Sequence, residues 1–357
     1  MAKSEEYIEG PRACESYEVA PTLGLLACVN TPEIGMWFPH VFCEANRENV
    51  RIIKVNGRVV ASAGICVYDA QTPRGELKLA EVSAVSCHPD FRRRGFGNQV
   101  VESCMERMRQ IGCQLGVLPS DINDWYRKLG WENAGRRYSF QIDRASVQLL
   151  PVAENCQIQQ EAYPDVAQML ELYHHHNLGA RRQLEVFEVL LSRPDTDVYI
   201  ASRSGKLISY IVVREEYIAE FAGDPVAALA LVRTAFGMRD DRSKPTSTIV
   251  GLGRMKLDAP YLSEGLPRLL LDLGLPYSLN YLRMMWVPHL PGLLRALGLE
   301  DITAEETDDT VRLFRGDETV ELTRRELVKL IFGPEHVADF ASDVFPVSFH
   351  QWPLDAV

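Results

Sequence analysis

The sequence has no long apolar run and carries more acid than base. Its apolar stretches, such as the one near Leu269–Leu275 that Asp272, Gly274 and Pro276 break, fall short of the ~20 apolar residues that a bilayer-spanning helix requires. The amino-terminal segment lacks the apolar core of a secretory signal peptide. With 49 acidic against 38 basic residues, the net charge of −11 argues against a dedicated nucleic-acid binder. We therefore expect a cytoplasmic protein without a membrane or nucleic-acid partner.

Cysteine is also sparse and scattered. The eight cysteines form no C-x-x-C pair, a distribution that indicates reduced thiols rather than a disulfide framework or a zinc site. The tract His174–His176 is the other feature that suggests a metal. Three consecutive side chains point in different directions on a helix, so we expect no bound metal.

Apolar residues make up 46% of the sequence, which is enough for several packed cores. A chain of 357 residues predicts two or three domains. In the first part, two β-rich runs, Asn49–Val55 and Arg58–Tyr68, flank Asn56-Gly57, a pair typical of a hairpin turn. A strand over Lys78–Cys87 and a helix over Asn98–Gln110 follow. The pattern predicts an α/β fold with mixed sheets.

Residues 150 to 280 repeat this plan in weaker form. Two helices, three strands and a further helix are predicted, and the last helix starts at Asp224-Pro225 with the aspartate as its cap. The connection into this helix, Ala222–Pro225, is too short to cradle a phosphate. We expect duplication of the fold without duplication of its chemistry.

The remaining residues predict a small α+β unit. A hairpin around Gly316-Asp317 precedes a helix whose start carries a T-x-x-E capping box formed by Thr323 and Glu326. The terminal segment, FPVSFHQWPLDAV, stays apolar and aromatic to its end. Because free chain ends are usually polar, this tail is predicted to be buried.

The segment Leu79–Val100 is the most informative part of the sequence. A strand leads into a turn with three arginines and two glycines, Arg92–Gly97, and a helix follows. Glycines allow a close approach of the backbone to an anion, and the amides at a helix start favour a phosphate. The pattern therefore favours a phosphate-bearing ligand at this turn.

This turn resembles the Q/R-x-x-G-x-G/A loop of the GNAT (Gcn-five-related) N-acetyltransferase family, with Arg92, Gly95 and Gly97 in its fixed positions. A second segment, Asp124–Trp131, is similar to the F-Y-x-x-L-G-[FW] motif of that family. The two motifs stand in the family's order, about thirty residues apart.

The tandem layout and the string Val85–Gly95 further resemble the Eis (enhanced intracellular survival) branch of the family. The resemblance implies tandem GNAT folds and three units: a catalytic GNAT domain over 1–148, a degenerate GNAT-like domain over 149–282, and a sterol-carrier-like domain over 283–357. We call these the first, middle and last units. The last unit is short for a complete sterol-carrier fold. Members of the branch assemble as homo-oligomers, so the resemblance allows for a homo-oligomer of this chain.

The resemblance implies acetyl-CoA as co-substrate, with no metal. The loop amides would hold its pyrophosphate, and the strand backbone would pair with its pantetheine arm. The residues implied to contact acetyl-CoA are Val85, Cys87, Arg92, Arg93, Arg94, Gly95, Phe96, Gly97, Asn98, Ser120 and Asn123.

Catalytic roles are implied in the same way. Tyr126 would face the thioester sulfur and donate a proton to the leaving thiolate. Two bases stay open: Glu81, fourteen residues before Gly95, and the terminal carboxylate of Val357. The helices that contain Trp37 would cover the acceptor pocket.

The implied reaction is acetyl transfer to a primary amine by direct attack in a ternary complex. The acidic net charge favours a cationic acceptor, such as an aminoglycoside, a polyamine or a lysine side chain. The alternative is a non-catalytic acyl-CoA-binding sensor or interaction module, because the middle unit indicates that a GNAT fold persists in this chain without its chemistry.

Overall fold

The computed structural model describes residues 6–30, 32–175, 178–242, 253–261, 264–307 and 309–356. Two residues singled out from the sequence, His176 and Val357, lie outside these ranges. No helix in these ranges has the length and apolar character needed to cross a bilayer. All eight cysteines are free thiols, as their spacing predicted.

Strands make up most of the regular structure. In the first unit they are β1 (Ile8–Ala13), β2 (Val50–Val55), β3 (Arg58–Gln71), β4 (Glu76–Cys87), β5 (Leu115–Leu118) and β6 (Glu132–Asp143). In the middle unit they are β7 (Gln157–Glu161), β8 (Gly179–Ala180), β9 (Thr196–Arg203), β10 (Lys206–Arg214), β11 (Tyr217–Gly223), β12 (Arg254–Pro260) and β13 (Tyr277–Trp286). The last unit adds β14 (Thr303–Glu306), β15 (Thr310–Arg315) and β16 (Glu318–Thr323).

The helices cover the sheets and fill the connections. Those of the first unit are α1 (Val19–Val29), α2 (Ile34–Trp37), α3 (Phe96–Gln110) and α4 (Asn123–Arg127). Those of the middle unit are α5 (Val166–Tyr173), α6 (Leu184–Leu191), α7 (Pro225–Arg242) and α8 (Gly265–Asp272), and α9 (Leu290–Ala296) and α10 (Arg324–Phe332) follow in the last unit.

One mixed sheet runs through the first and middle units. Its strand order is β1-β2-β3-β4-β5-β13-β6-β12-β11-β10-β9-β7, with β8 paired to β3. The β2–β3 hairpin turns at Asn56 and Gly57, which have φ angles of 49° and 80°. Positive φ at both positions is what the Asn-Gly pair supplies, so the predicted hairpin is confirmed.

Strand β13 joins the two units within this sheet. It pairs with β5 over Met284–Trp286 and with β6 over Tyr277–Met285. The sequence predicted neither β13 nor β12, which pairs with the other side of β6. The division at 148/149 and 282/283 stays a prediction, since strands from both sides of 148/149 share one sheet and 282/283 falls inside β13.

The last unit contains the small sheet β14-β15-β16 and helix α10. The capping box is confirmed, because the Thr323 amide donates to Glu326 Oε2 at 2.8 Å and the Thr323 side chain accepts from the Glu326 amide. The buried face of this unit packs against Leu77 and Leu79 of β4. Its core therefore supports the strand that carries the candidate site.

The C-terminal tail, residues 345 to 356, is buried as predicted. Phe349, Trp352 and Leu354 have 3% or less of their surface exposed. The tail leaves the last unit where the Val347 amide donates to Ile331 O at 2.6 Å, and it reaches the middle unit where the Leu354 amide donates to Ala219 O at 3.2 Å. It thus connects all three units.

Candidate active site

A wedge-shaped gap opens between strands β4 and β5. The two strands run parallel and pair from Leu79 to Glu81, after which β5 ends at Leu118 while β4 continues to Cys87. A bulge bends β4 at the opening, because Ala84 has a φ angle of 47° and the pairing with β3 shifts there. Beyond Glu81, the β4 backbone beside Val85 is therefore positioned to bind a ligand in this gap.

The loop after β4 lies at one end of the gap and leads into the start of a helix whose first amides are uncapped. Arg93 and Gly95 adopt left-handed φ angles of 64° and 83° and turn the chain into α3 at Phe96. The first amides of a helix have no acceptor within it, and Gly95 supplies no side-chain cap. Gly95 is exposed, so the positive end of this 15-residue helix is accessible to an anion.

The three loop arginines have different surroundings. Arg92 Nε donates to Cys87 O at 3.3 Å, which ties the loop to the end of β4. Arg94 forms an ion pair with Glu6, and its guanidinium lies 5.0 Å from the centroid of the Phe96 ring. Arg93 is exposed. Arg94 is thus partly committed to a contact within the protein, whereas Arg93 extends the positive charge of the loop into solvent.

Helix α4 forms the far side of the gap, directly after β5. Ser120 Oγ accepts from the Ile122 amide at 2.9 Å and fixes the turn into the helix. Asn123 Oδ1 is buried and has no hydrogen-bond partner among the described residues. Buried acceptors are rarely left unpaired, so this atom is available to accept from a donor on a bound molecule.

Tyr126 lies on the next turn of α4 and is 7% exposed. Its ring packs at 4.6 Å from that of Trp125. A Cβ at Gly97 would lie 3.6 Å from the Trp125 ring, so the loop and α4 are neighbours. Burial, with a smaller effect of Cys104, raises the pKa of Tyr126 to about 12. The phenol is therefore protonated at neutral pH and can act as an acid.

Glu81 is fully buried at the closed end of the gap. Its carboxylate accepts from Gln351 of the tail, and the same amide nitrogen donates to Tyr68 Oη at 2.7 Å. Arg283 of β13 donates to Gln351 Oε1 at 2.7 Å and fixes the orientation of the amide. Burial, together with Glu81 and Asp355, raises the pKa of the Cys66 thiol to about 12.

The tail brings a second group of charges to this cluster. Asp355 accepts from Arg182 Nε at 2.6 Å, and Arg193 Nη1 donates to the carbonyls of Leu354 and Ala356 at 3.1 and 3.3 Å. Arg193 Nη2 also lies 3.5 Å from His40 of the first unit. The described end of the chain therefore lies between the first and middle units. Glu81 and the tail, which the sequence offered as alternative sources of a base, meet in one cluster.

Trp37 lies at the border of the same cluster. The Arg214 guanidinium of the middle unit stacks 5.2 Å from the centroid of the half-buried indole. Burial and the neighbouring Arg214 lower the pKa of Arg193 to about 10, and burial and Arg193 lower the pKa of His40 to about 4. His40 is therefore neutral at pH 7, and this border is positively charged.

Among the described residues of the middle unit, the connection from β11 into α7 has no comparable loop. Only Asp224 separates β11 from α7, and its carboxylate accepts from the amides of Val226 and Ala227 at 2.9 and 3.0 Å. The cap occupies amides that would otherwise be open to an anion; the loss of phosphate binding stays a prediction. Within the ranges described, no three His, Cys, Asp or Glu side chains gather in a metal-binding arrangement.

A comparison with known protein families matches the part of the chain that carries this site. Residues 37–134 match the Acetyltransferase (GNAT) domain family. An amino-acid acetyltransferase from Actinobacillus pleuropneumoniae is 27% identical over 129 residues, which are 36% of this chain and 28% of that relative. The chain thus matches little more than a quarter of the relative's length.

Solved structures extend the likeness from the GNAT domain to the whole fold. A GCN5-related N-acetyltransferase from Kribbella flavida matches with a TM-score of 0.68 and 15% identity, over 99% of this chain and 98% of that one. Eis1 from Mycobacterium abscessus matches with a TM-score of 0.59 and 12% identity, over 89% and 85%. The chain therefore shares the mixed α/β, GNAT-like fold of these structures.

Sequence reasoning missed part of the site around the β4–β5 gap. Gln351, Arg283, Tyr68 and Arg182 were not singled out, although each contacts Glu81, its hydrogen-bond partner or the tail. Gln351 and Glu81 are 270 positions apart, and no local pattern marks such a pair. The one available signal was the apolar tail, which predicted burial but not its destination.

Proposed function

We propose that the chain is an acetyl-CoA-dependent N-acetyltransferase that acts on a primary amine within a ternary complex, with an Eis-like tandem layout and a short sterol-carrier-like last unit. The observation that carries this proposal is the gap between β4 and β5, which ends at the uncapped start of α3 and has Tyr126 on its far side. These are an anion site, an edge of strand backbone and an acid in one groove.

The residues of the gap fit acetyl-CoA as co-substrate. The amides of Phe96–Asn98, with Arg92 and Arg93 nearby, would hold the pyrophosphate. Backbone groups of Val85 and Cys87 would pair with the pantetheine arm. The unpaired Asn123 Oδ1 would accept a hydrogen bond from an amide of that arm, with Ser120 beside it.

The chemistry then needs a base, an oxyanion site and an acid. Glu81 or the terminal carboxylate of Val357 would take a proton from the ammonium of the acceptor, directly or through water. The amine nitrogen would bond to the thioester carbonyl carbon, with the amide near Val85 stabilising the oxyanion. The C–S bond would break as Tyr126 protonates the thiolate, and the nitrogen would pass its second proton through water to the Tyr126 phenolate, leaving an acetylamide and CoA.

The acceptor class is supported by charge. Glu81 brings a buried carboxylate to the place where the amine would sit, which suits a cationic small molecule such as an aminoglycoside or polyamine, or a lysine side chain; Asp355 is already paired with Arg182. The relative from Actinobacillus pleuropneumoniae is an amino-acid acetyltransferase, which adds amino acids to this range. Trp37, with Arg214 stacked on it, would contact the part of the acceptor that lies away from the amine.

Calorimetric titration with acetyl-CoA tests the cofactor site. We expect one-site binding that Gly95→Glu weakens by ~10-fold or more, because a side chain at φ 83° strains the loop and a carboxylate repels the pyrophosphate. Gly112→Glu is the matched control, since Gly112 has a φ of 74° in open surroundings at the other end of α3. Equal loss in both variants, or no binding by the wild type, would contradict the proposal.

Release of CoA thiol, measured over a panel of amines, tests the transfer itself. Tight acetyl-CoA binding without turnover on any polyamine, aminoglycoside, amino acid or lysine peptide would favour the acyl-CoA-binding sensor instead. Turnover on one class would identify the acceptor.

A further inference from the structure

A buried charge cluster lies where the tail enters the middle unit. The Arg182 guanidinium forms ion pairs with Asp355 of the tail and Glu220 of β11, and all three side chains are at least 95% buried. Tyr210 completes the cluster by donating to Glu220 Oε1 at 2.6 Å. Every member except Asp355 belongs to the middle unit, so the middle unit binds one carboxylate of the tail through this cluster.

The cluster is rigid on the receptor side. The Arg182 guanidinium stacks on the ring of Tyr173, 4.1 Å from its centroid, and lies 4.9 Å from that of Phe187. Burying an ion pair carries a desolvation cost that an apolar contact would avoid. The advantage of these charges over an apolar contact is therefore a fixed position for the tail rather than extra stability.

A second, independent contact holds the same part of the tail. Arg193, 4% exposed, donates to the carbonyls of Leu354 and Ala356 on either side of Asp355. The Leu354 amide donates to Ala219 O of β11 at 3.2 Å. Both backbone and side chain of this segment are thus fixed by the middle unit, four positions after Gln351 contacts Glu81.

We propose that Arg182, Arg193 and Asp355 are positioning residues through which the middle unit holds the tail in the active site of the first unit. The proposal rests on the proposed acetyl transfer, because it assigns the tail a place beside the reacting groups. It also gives the middle unit a role: its phosphate loop is lost, and its buried arginines instead complete the site of the first unit.

Asp355→Ala in the full-length chain tests this role. The change leaves Arg182 paired with Glu220, so the middle unit keeps a balanced ion pair and should fold. We expect amide hydrogen exchange over residues 350 to 356 to accelerate by ~10-fold or more as the tail detaches. We also expect kcat to fall by ~10-fold or more, because the reacting groups lose their fixed geometry, while the Kd for acetyl-CoA stays within ~2-fold.

Two further variants separate positioning from general stability. Asp355→Asn keeps an oxygen that can accept from Arg182 Nε and should recover most of the exchange protection and of kcat. Glu18→Ala is the matched control, since Glu18 is a buried carboxylate that accepts from Arg12 at 2.7 Å and Lys54 at 2.8 Å at the opposite end of the sheet. It should lower the melting temperature without accelerating exchange in the tail.

The outcomes are distinguishable. Wild-type tail protection and kcat in Asp355→Ala would overturn the proposal, as would equal effects of Asp355→Ala and Glu18→Ala on the tail. A wild type that acetylates no amine, combined with a tail that loosens only in Asp355→Ala, would instead reject the proposed function and retain the anchor.

Discussion

Tyr126 shows how one side chain combines packing with chemistry. Its ring is part of the core beneath α3 and β4, yet it lies on the helix that forms the far side of the β4–β5 gap. Burial raises its pKa to about 12, which keeps the proton on the phenol throughout the range in which an amine is deprotonated. The same burial that makes Tyr126 a packing residue therefore preserves it as an acid.

Replacing the hydroxyl of Tyr126 separates these two roles. Tyr126→Phe should lower kcat by ~10²-fold because the leaving thiolate loses its proton donor. The Kd for acetyl-CoA and the melting temperature should change little, since the ring contact with Trp125 remains. Steady-state kinetics with Tyr138→Phe as control, which removes a hydroxyl from an aromatic cluster outside the gap, would measure this. Unchanged kcat in Tyr126→Phe would show that Tyr126 packs in the core and does not donate the proton.

At the scale of elements, local sequence patterns predicted those elements whose cause is local. The turn at Asn56-Gly57, the capping box at Thr323 and the loop into α3 each depend on residues a few positions apart. Strand β13 had no such signal, because its first five residues are exposed and its partners lie far away in the chain. Pairing with β6 across more than a hundred positions decides its structure, and a single sequence does not reveal that pairing.

The same distinction applies to the candidate site. The half proposed to bind the co-substrate lies in one stretch of the chain, from β4 to α4, and its residues were predicted together. The half that contains Glu81 is assembled from β3, β4, β13 and the tail. Glu81 was identified, whereas Gln351, which donates to it, was identifiable only through the folded tail.

The tail is the element whose role is most directly testable. Adding two glycines after Val357 should suppress kcat by ~10-fold or more if the terminal carboxylate is the base, because the carboxylate moves away from the reacting amine. Glu81→Gln should lower kcat more than the extension does if Glu81 is the base, and it should remove the acidic limb of the pH–rate profile.

Melting curves of both variants should stay close to that of the wild type, since glutamine at position 81 can still accept from Gln351. Full activity in the extended chain would assign the role to Glu81.

At the scale of the whole molecule, the three predicted units share structural supports. Strand β13 inserts between β5 and β6, and the buried Glu132 of β6 pairs with Arg127 of α4 and Arg325 of α10. The tail then connects the last unit to the Arg182 cluster. Because each unit completes the core or the charge pairing of another, separation of one unit would expose buried groups in its neighbours.

The chain should therefore unfold as one cooperative body. At about 0.7 kcal/mol per residue near 60 °C, a single transition of the whole chain would absorb on the order of 250 kcal/mol. Scanning calorimetry should give a calorimetric enthalpy close to the van't Hoff value, and saturating acetyl-CoA should move the single peak to higher temperature because it binds only the folded state. Two resolved transitions, or a van't Hoff enthalpy near a third of the calorimetric one, would show that the units unfold separately. In that case the shared sheet would connect the units without coupling their stability, and the tail would be free to detach before the first unit melts.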